Sequence, residues 1–391
     1  MPARKKPETN NLQKLVHQFE KSISNTIKIN LLKGIGEAKV KLEAATQGAT
    51  DALIRRAIVS IDLFAKIDIS KTHKEYRGYN ILKETPLSPH LIPPLCEERN
   101  DYWLAPFLDN ATDLYAVTQN SIGWANKIHN NFLKMMRELW DGTKTEEEKE
   151  KCKKAYQERF LERYNEILRL GFHPNTSIIV NTTDITSLEK LKDEFLDRLN
   201  ILQIPFSVTA HRDEHPKNIL VPTAEIGSNE SVWYLIDYVN AEKRADWVFS
   251  VAKMLQGWWP YYPIELYKGN KLDLSGPWGN YVDPRNKKKL EINFDKESFE
   301  RYVNNIMSDH HIEEVKKMNL NILKFAARFA SSNNDNLWSD RLRLALFLVI
   351  FGSLPFHIRS QNKLSHTVPL LLSQALNIWD ATTPIQDFCA H

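Results

Sequence analysis

Cysteine is scarce: three in 391 residues, Cys96, Cys152 and Cys389, with no close spacing. An odd count without a CxxC pair excludes a thiolate metal cluster and a disulfide framework, and suits a reducing compartment. Long apolar runs are missing as well. The longest, residues 345–356, is interrupted by Gly352, Ser353 and Pro355, and falls short of the roughly 20 residues needed to cross about 30 Å of hydrocarbon. The first twenty residues are polar, with a small Arg4-Lys5-Lys6 cluster and no apolar core, so no secretory signal is expected. An excess of one charge is absent too. The 52 basic residues nearly balance 49 acidic ones, for a net charge of +3, which gives no reason to expect a nucleic-acid or membrane partner. No internal repeat is visible. These absences point to a soluble cytoplasmic protein.

What remains is an ordinary globular composition, 42% hydrophobic and 26% charged, with ten Trp, thirteen Tyr and seventeen Phe. The length suits one bilobal unit or two to three domains. A helix is expected around residues 12–24. Strand-like runs follow at residues 28–32, 39–43 and 57–67, with a Gln47-Gly48 turn before the last. A helix is expected over 71–84, closed by Pro86, with Tyr76, Tyr79 and Leu82 on one face. A further strand reads at 102–108, pairing with a short one at 93–95. Beyond residue 109 the pattern turns to long helices. One spans 110–140 in two pieces around Gly123. Thr145 with Glu148 reads as a capping box opening a second helix, whose stripe is Cys152, Tyr156, Phe160, Tyr164 and Leu168, with Gly171 as its stop. Thr186 with Glu189 repeats the cap before Leu188, Leu191, Phe195 and Leu199. Short strands are expected at 206–209, 219–221 and 232–236, and residues 246–391 read as mainly helical with an irregular section at 257–285. This order predicts an α+β, bilobal chain: a β-rich N-lobe over 1–109 and a larger, mainly helical C-lobe over 110–391.

The chemistry concentrates in His211-Arg212-Asp213-Glu214-His215-Pro216-Lys217-Asn218, followed by the apolar Ile219-Leu220-Val221. An Asp followed five residues later by an Asn is the catalytic-loop spacing of kinases. The Asp accepts or orients the proton of an attacking hydroxyl, and the Asn presents its amide oxygen to a metal ion beside the phosphates. Nineteen residues past Asn218, the apolar run Trp233-Tyr234-Leu235-Ile236 ends in Asp237. A carboxylate there reaches the mouth of the same cleft and suits Mg²⁺.

The two motifs, HxDxHPxNIL at 211–220 and IDxxxA at 236–241, resemble the aminoglycoside phosphotransferase/choline kinase family, the small-molecule branch of the protein-kinase-like fold. His215-Pro216 is typical of that branch. Arg212 departs from it, since the branch more often carries Gly or Asn there and His-Arg-Asp is the protein-kinase form. Asp246 matches the family's later Asp, which caps a C-lobe helix and braces the catalytic loop. The match is specific over about 211–253 and loose elsewhere. The resemblance implies a phosphotransferase with Asp213 as catalytic base, aided by His211 and Arg212, with Asn218 and Asp237 holding Mg²⁺ and with ATP (or GTP) as phosphoryl donor.

Such an enzyme makes demands upstream. Gly34-Ile35-Gly36 lies between two expected strands, where glycines let backbone N–H groups approach phosphates. Lys66, ending the run at 57–67, is the expected contact for the α- and β-phosphates. Its carboxylate partner comes from the next helix, as Glu75 or Glu84, with Glu75 preferred. The hinge falls at 102–108, where backbone groups of Ala105 and Phe107 meet the adenine edge, since Pro106 cannot donate.

The acceptor side is expected after Asp246. Trp258, Trp259 and Tyr262 are the candidate contacts, within a wider group of Trp247, Tyr261, Tyr267 and Trp278 with Glu265, Asp273 and Asp283, able to hold a cationic or sugar-like acceptor through ring stacking and cation–π contacts. Aminoglycoside, choline-like amine, sugar and nucleoside acceptors stay open. Two alternatives remain: a protein kinase, suggested by Arg212 but lacking DFG and APE-like segments after Asp237, and a non-catalytic nucleotide-binding module on the kinase scaffold. His310-His311 carries no metal expectation, because adjacent helical residues do not face each other.

Overall fold

In the computed structural model the described residues are 41–42, 46–47, 53–58, 62–67, 69–94, 102–106, 108, 111–147, 149–223, 226–227, 231–258, 279–282, 289–359 and 367–380. The first sheet is built from short antiparallel strands: β1 (Lys41–Leu42), β2 (Thr46–Gln47), β3 (Leu53–Ile58), β4 (Asp62–Ile67) and β5 (Tyr102–Pro106), in the order β1-β3-β4-β5 with β2 also pairing β3. The single strand expected over 57–67 is therefore a hairpin, with Ile58 opposite Asp62. An apolar, β-branched run with no Gly or Pro reads the same way whether it turns or not. Of the expected strand at 39–43, Lys41–Leu42 is β1, and the run at 28–32 lies outside the described residues. Helix α1 (Ile69–Leu82) follows β4 and buries Tyr76 and Leu82.

After β5 the chain joins a second sheet. Strand β6 (Ala111–Asp113) pairs with β10 (Ile219–Pro222), which pairs in turn with β11 (Tyr234–Leu235). Asp113 then caps α2 (Leu114–Asn120), its Oδ1 accepting from Ala116 N at 2.9 Å. The break before α3 (Ile122–Thr143) falls at Ser121, and Gly123 lies inside α3. Helix α4 (Lys149–Arg169) carries the stripe Cys152, Tyr156, Phe160 and Tyr164, but its last buried member is Ile167, with Leu168 partly buried. Steps of four residues overshoot a turn of 3.6, so the stripe drifts until a step of three restores the face.

Two capping expectations are corrected. Thr145 forms a backbone bridge with Ser207, and its Oγ1 accepts from Glu147 N at 3.2 Å, while the helix begins at Lys149. The cap of α5 (Leu188–Ile201) is Ser187, which accepts from Lys190 N at 3.1 Å, and not Thr186. Glu189 is bonded instead to Tyr164 Oη at 2.6 Å. The region after 246 is less helical than expected. Strands β13 (Gly279–Val282) and β14 (Lys289–Phe294) join β7 (Ser177–Val180) and β8 (Thr183–Ser187) in the order β13-β14-β7-β8, with β14 parallel to β7. Buried Leu290, Ile292 and Phe294 alternate with less buried neighbours, a period-two signal that becomes meaningful once a partner over a hundred residues away is supplied.

The remaining helices are α6 (Trp247–Gln256), α7 (Lys296–Ile306), α8 (Asp309–Ser332), α9 (Trp338–Phe351), α10 (Leu354–Arg359) and α11 (Thr367–Asp380). Helix α9 is buried along most of its length from Arg341 to Phe351 and packs against α6 and α11, as a central core helix must. Among the described residues Trp338–Ile358 is the one helical stretch long and apolar enough to cross a membrane, and 78% of that window is buried inside the protein.

Within this core lies a charged cluster. Arg341 of α9 donates from Nε to Asp246 Oδ2 at 2.9 Å and from Nη2 to Asp335 Oδ2 at 2.6 Å, with Tyr156 Oη also donating to Asp246 at 3.1 Å. Burial opposes the guanidinium's charge, but the two carboxylates outweigh it and raise its pKa above the ordinary value. Asp246 meanwhile caps α6 by accepting from Val248 N at 3.2 Å, as expected, while its other side-chain bonds go to Tyr156 and Arg341 and none of them to the 211–218 loop that it was also expected to brace.

Candidate active site

The catalytic-loop motif leaves the strand β9 (Val208–Ala210), which pairs with β12 (Glu242–Ala245). His211 is fully buried and its Nε2 hydrogen-bonds Ile236 O at 3.0 Å. Further along, a 3-10 turn at Pro216–Asn218 brings Asn218 back. Its Nδ2 donates to Asp213 O at 2.8 Å, and its backbone O accepts from Ile236 N at 3.0 Å. Both backbone groups of Ile236 are thus bonded to the 211–218 loop. The residue they fix in place is the one before Asp237. The two motifs, nineteen residues apart in sequence, form one hydrogen-bonded unit.

Asp237 itself adopts φ 62° and ψ 65°, and Arg212 has φ 65°. A non-glycine residue in the left-handed region costs on the order of 1–3 kcal/mol and persists where its surroundings enforce it. For Asp237 the enforcement comes from α1. Glu75 Oε1 accepts from Tyr238 N at 2.8 Å, and Gly78 packs so closely that a Cβ there would sit 1.8 Å from Tyr238 O. Tyr238 is held by donating to Leu235 O at 2.7 Å and accepting from Ile92 N at 2.8 Å. Its ring stands 5.8 Å from both Trp103 and Tyr79. The first sheet, α1 and the Asp237 turn therefore meet in one aromatic cluster.

Asp213 lies in an ion pair with Lys253 of α6, Oδ1 to Nζ 2.9 Å, the side chains 15% and 12% exposed respectively. Burial pushes the Asp213 carboxyl up, but Lys253, His215 and His211 outweigh it and hold it well below the usual carboxylate range. His215 is pulled below its ordinary value by burial, against Asp213, and its Nδ1 accepts from Lys217 N at 3.2 Å. Glu214 is buried, accepting at Oε1 from Ser250 Oγ at 2.6 Å and from Arg212 N at 3.0 Å. The loop rests on the end of α6, where a Cβ on Gly257 would lie 2.3 Å from Pro216 Cδ. Arg212 is paired with Glu242, and its guanidinium lies over the Phe249 ring.

Other expected site residues are placed as follows. Glu75 is buried in α1, whereas Glu84 stands exposed beyond the helix end. Lys66 lies in β4 with its backbone opposite Trp103 and Ile54; its side chain is outside the described residues, as are Gly34, Gly36, Phe107, Trp259 and Tyr262. Ala105 is buried in β5 opposite Phe64. Trp258 is an interior residue, 1% exposed, with Nε1 3.4 Å from His129 Nε2 and its ring edge-on to Tyr115. Its faces pack the core where an acceptor contact was expected.

Sequence reasoning missed Lys253, Glu242 and Ser250. Lys253 had a visible signal, being the lone cation in the otherwise apolar, buried run of α6.

The oxygen chemistry fits a magnesium ion. With its Nδ2 committed to Asp213 O, Asn218 keeps its amide oxygen as the donor atom, and the neighbouring turn carries the carboxylate of Asp237. Among the described residues no cluster of three or more His, Cys, Asp or Glu could hold a metal unaided. Mg²⁺ binds in that manner, through one or two protein oxygens completed by phosphates and water.

Solved structures of small-molecule kinases share this architecture. An ethanolamine kinase from Plasmodium vivax matches with a TM-score of 0.50 at 9% identity, covering 100% of this chain and 98% of its own. A choline kinase from Cryptosporidium parvum matches with a TM-score of 0.49 at 10% identity, covering 95% and 99%. A glucosamine kinase in complex with glucosamine, ADP and inorganic phosphate matches with a TM-score of 0.45 at 12% identity, covering 95% and 84%. The chain has the α+β, protein-kinase-like fold. No protein-family model and no curated protein sequence matches it.

Proposed function

We propose that the protein is a kinase that transfers the γ-phosphoryl group of ATP (or GTP) to a hydroxyl of a small molecule, with Mg²⁺. The observation that carries this reading is the double hydrogen bond from Ile236 to the 211–218 loop, which couples Asp213 and Asn218 to Asp237. Asp213 accepts a hydrogen bond from the acceptor hydroxyl and aims its oxygen at the donor phosphorus. Its low proton affinity, set by Lys253, makes it an orienting group that takes the proton late, as the new O–P bond forms and the bond to the leaving nucleotide oxygen breaks. This suits a loose transition state, where positioning and charge neutralisation do most of the catalysis. Asn218 and Asp237 would hold Mg²⁺, which would supply charge neutralisation at the phosphates. Lys66, with Glu75 and the Gly34–Gly36 turn, is proposed to hold the triphosphate, and the hinge near Ala105 and Phe107 the base.

The structural neighbours act on ethanolamine, choline and glucosamine, which supports a small hydroxylated acceptor here. Arg212 does not favour a protein kinase, because Glu242 of the same chain already engages its guanidinium. A cytoplasmic location accords with the free, buried thiol of Cys152. The test is a nucleotide-consumption screen, with Mg²⁺, against a panel of amino alcohols, sugars, nucleosides and aminoglycosides. Acceptor-dependent consumption supports the reading. Consumption that is independent of acceptor and unchanged in Asp213→Ala contradicts it.

A further inference from the structure

Immediately before Asp213, Arg212 holds a left-handed backbone with φ 65°. Glycine or asparagine accepts that geometry readily, whereas arginine keeps it only where its surroundings enforce it. Two contacts hold the arginine side chain: its pairing with Glu242, and its guanidinium 5.1 Å from the centroid of the Phe249 ring. Neither acts on the backbone. A third contact does, because Arg212 N donates to Glu214 Oε1 at 3.0 Å. The same oxygen accepts from Ser250 Oγ of α6 at 2.6 Å. Glu214 and Ser250 are 1% and 0% exposed. A residue needed only to fill this space would be apolar. Instead a carboxylate is buried there with both bonds on Oε1, and Oε2 lacks a hydrogen-bond partner, an arrangement that opposes folding.

On the other side of Asp213 its carbonyl accepts from His215 N at 2.9 Å and from Asn218 Nδ2 at 2.8 Å. The chain through Asp213 is therefore fixed at two points, by Glu214 before it and by the turn of the loop after it. Relaxation of Arg212 to an ordinary negative φ would rotate the chain about its N–Cα bond by more than about 100°. That rotation would swing Asp213 away from Lys253, its partner at 2.9 Å. Ser250 and Lys253 stand three residues apart on one face of α6, so this helix grips two adjacent acids of the loop. We propose that Glu214, anchored by Ser250, is a positioning residue that keeps Arg212 left-handed and thereby aims Asp213 at the acceptor hydroxyl; this rests on the kinase reading given above. A hydrogen bond to a carboxylate and the strain of one left-handed non-glycine residue are of similar size, so this single contact is strong enough to decide the backbone state.

The test compares the full-length wild type with Glu214→Leu, Glu214→Gln and Ser250→Ala. Kinetics use Mg²⁺, ATP and the amino alcohol, sugar, nucleoside or aminoglycoside that drives nucleotide consumption in the screen above. Glu214→Leu should lower kcat by about tenfold to a hundredfold, the effect of misaiming a catalytic group, with the KM values for ATP and acceptor within about threefold. Glu214→Gln keeps an oxygen acceptor in the same place and should stay within about threefold of the wild-type kcat. Ser250→Ala should lower kcat by about threefold to tenfold, the range for one hydrogen bond. Adding Arg212→Gly to Glu214→Leu should restore part of the lost kcat, because glycine takes a positive φ without a brace. Crystal structures of the two Glu214 variants give a readout independent of turnover: Arg212 should leave the left-handed region in Glu214→Leu and keep it in Glu214→Gln. Near-ultraviolet circular dichroism reports folding, and if Glu214→Leu fails to fold, Ser250→Ala carries the test. Arg212 unmoved in Glu214→Leu, kcat unchanged in Glu214→Leu or Ser250→Ala, or a loss in Glu214→Gln equal to that in Glu214→Leu overturns the proposal and leaves the kinase reading intact. Turnover that survives Asp213→Ala overturns the kinase reading instead.

Discussion

At the scale of single residues, the ion pair of Asp213 with Lys253 sets the charge state of the proposed site. The Asp213 carboxyl is held below its ordinary value, so its ion pair stabilises the fold fully above the usual carboxylate pKa of about 4. That contribution disappears only as the pH falls through the lower, folded value. Between pH 5 and 8 Asp213 therefore stays ionised and contributes no acid limb to a pH–rate profile. Lys253→Met removes the counter-charge and leaves burial to push the carboxyl up, so an acid limb should enter the measurable range in that variant; an unchanged profile would contradict the assigned role of Lys253. The proposed site residues Asp213, Asn218 and Asp237 stand out in the sequence by residue type and short spacing, and the structure joins their two motifs through Ile236. Lys253 was less legible, since its importance depends on which face of α6 meets the loop. Trp258 was expected against the acceptor because aromatic content was read without knowing which rings the core would take.

At the scale of elements, two close approaches hold the site together. Gly257 brings the end of α6 under Pro216, and a Cβ there would lie 2.3 Å from Pro216 Cδ. Gly257→Ala should displace the catalytic loop and lower kcat by about tenfold to a hundredfold, the effect of a misplacement near 1 Å, while nucleotide affinity measured by calorimetry stays within about threefold. The second anchor is Arg341 between Asp246 and Asp335, which ties α6 to α9. Asp335→Ala leaves a buried guanidinium short of one counter-ion and should cost about 3–5 kcal/mol in denaturant unfolding. Element type was legible for the long helices, whose stripes are strong. It failed at the β3–β4 hairpin, at the caps on Thr145 and Thr186, and for β13 and β14, where the outcome is set by a turn, a single hydrogen bond or a partner strand far along the chain.

For the whole molecule, the fold arranges two regions around one turn. The first sheet and α1 reach Asp237 and Tyr238 through Glu75, Gly78 and Trp103, and the helical region reaches the same turn through His211 and Asn218. The α+β, protein-kinase-like architecture was legible because a strand-rich beginning, a helical remainder and the two motifs agree with one another. The central claim is Mg²⁺-dependent phosphoryl transfer through Asp213. Its most direct measurement is transfer of labelled phosphate from γ-labelled ATP to a hydroxylated acceptor, run in parallel on the wild type and Asp213→Ala, with nucleotide affinity measured on both. The account predicts a phosphorylated product from the wild type, lost when Mg²⁺ is chelated and lost in Asp213→Ala, with nucleotide affinity nearly unchanged. A product formed equally by Asp213→Ala would contradict it.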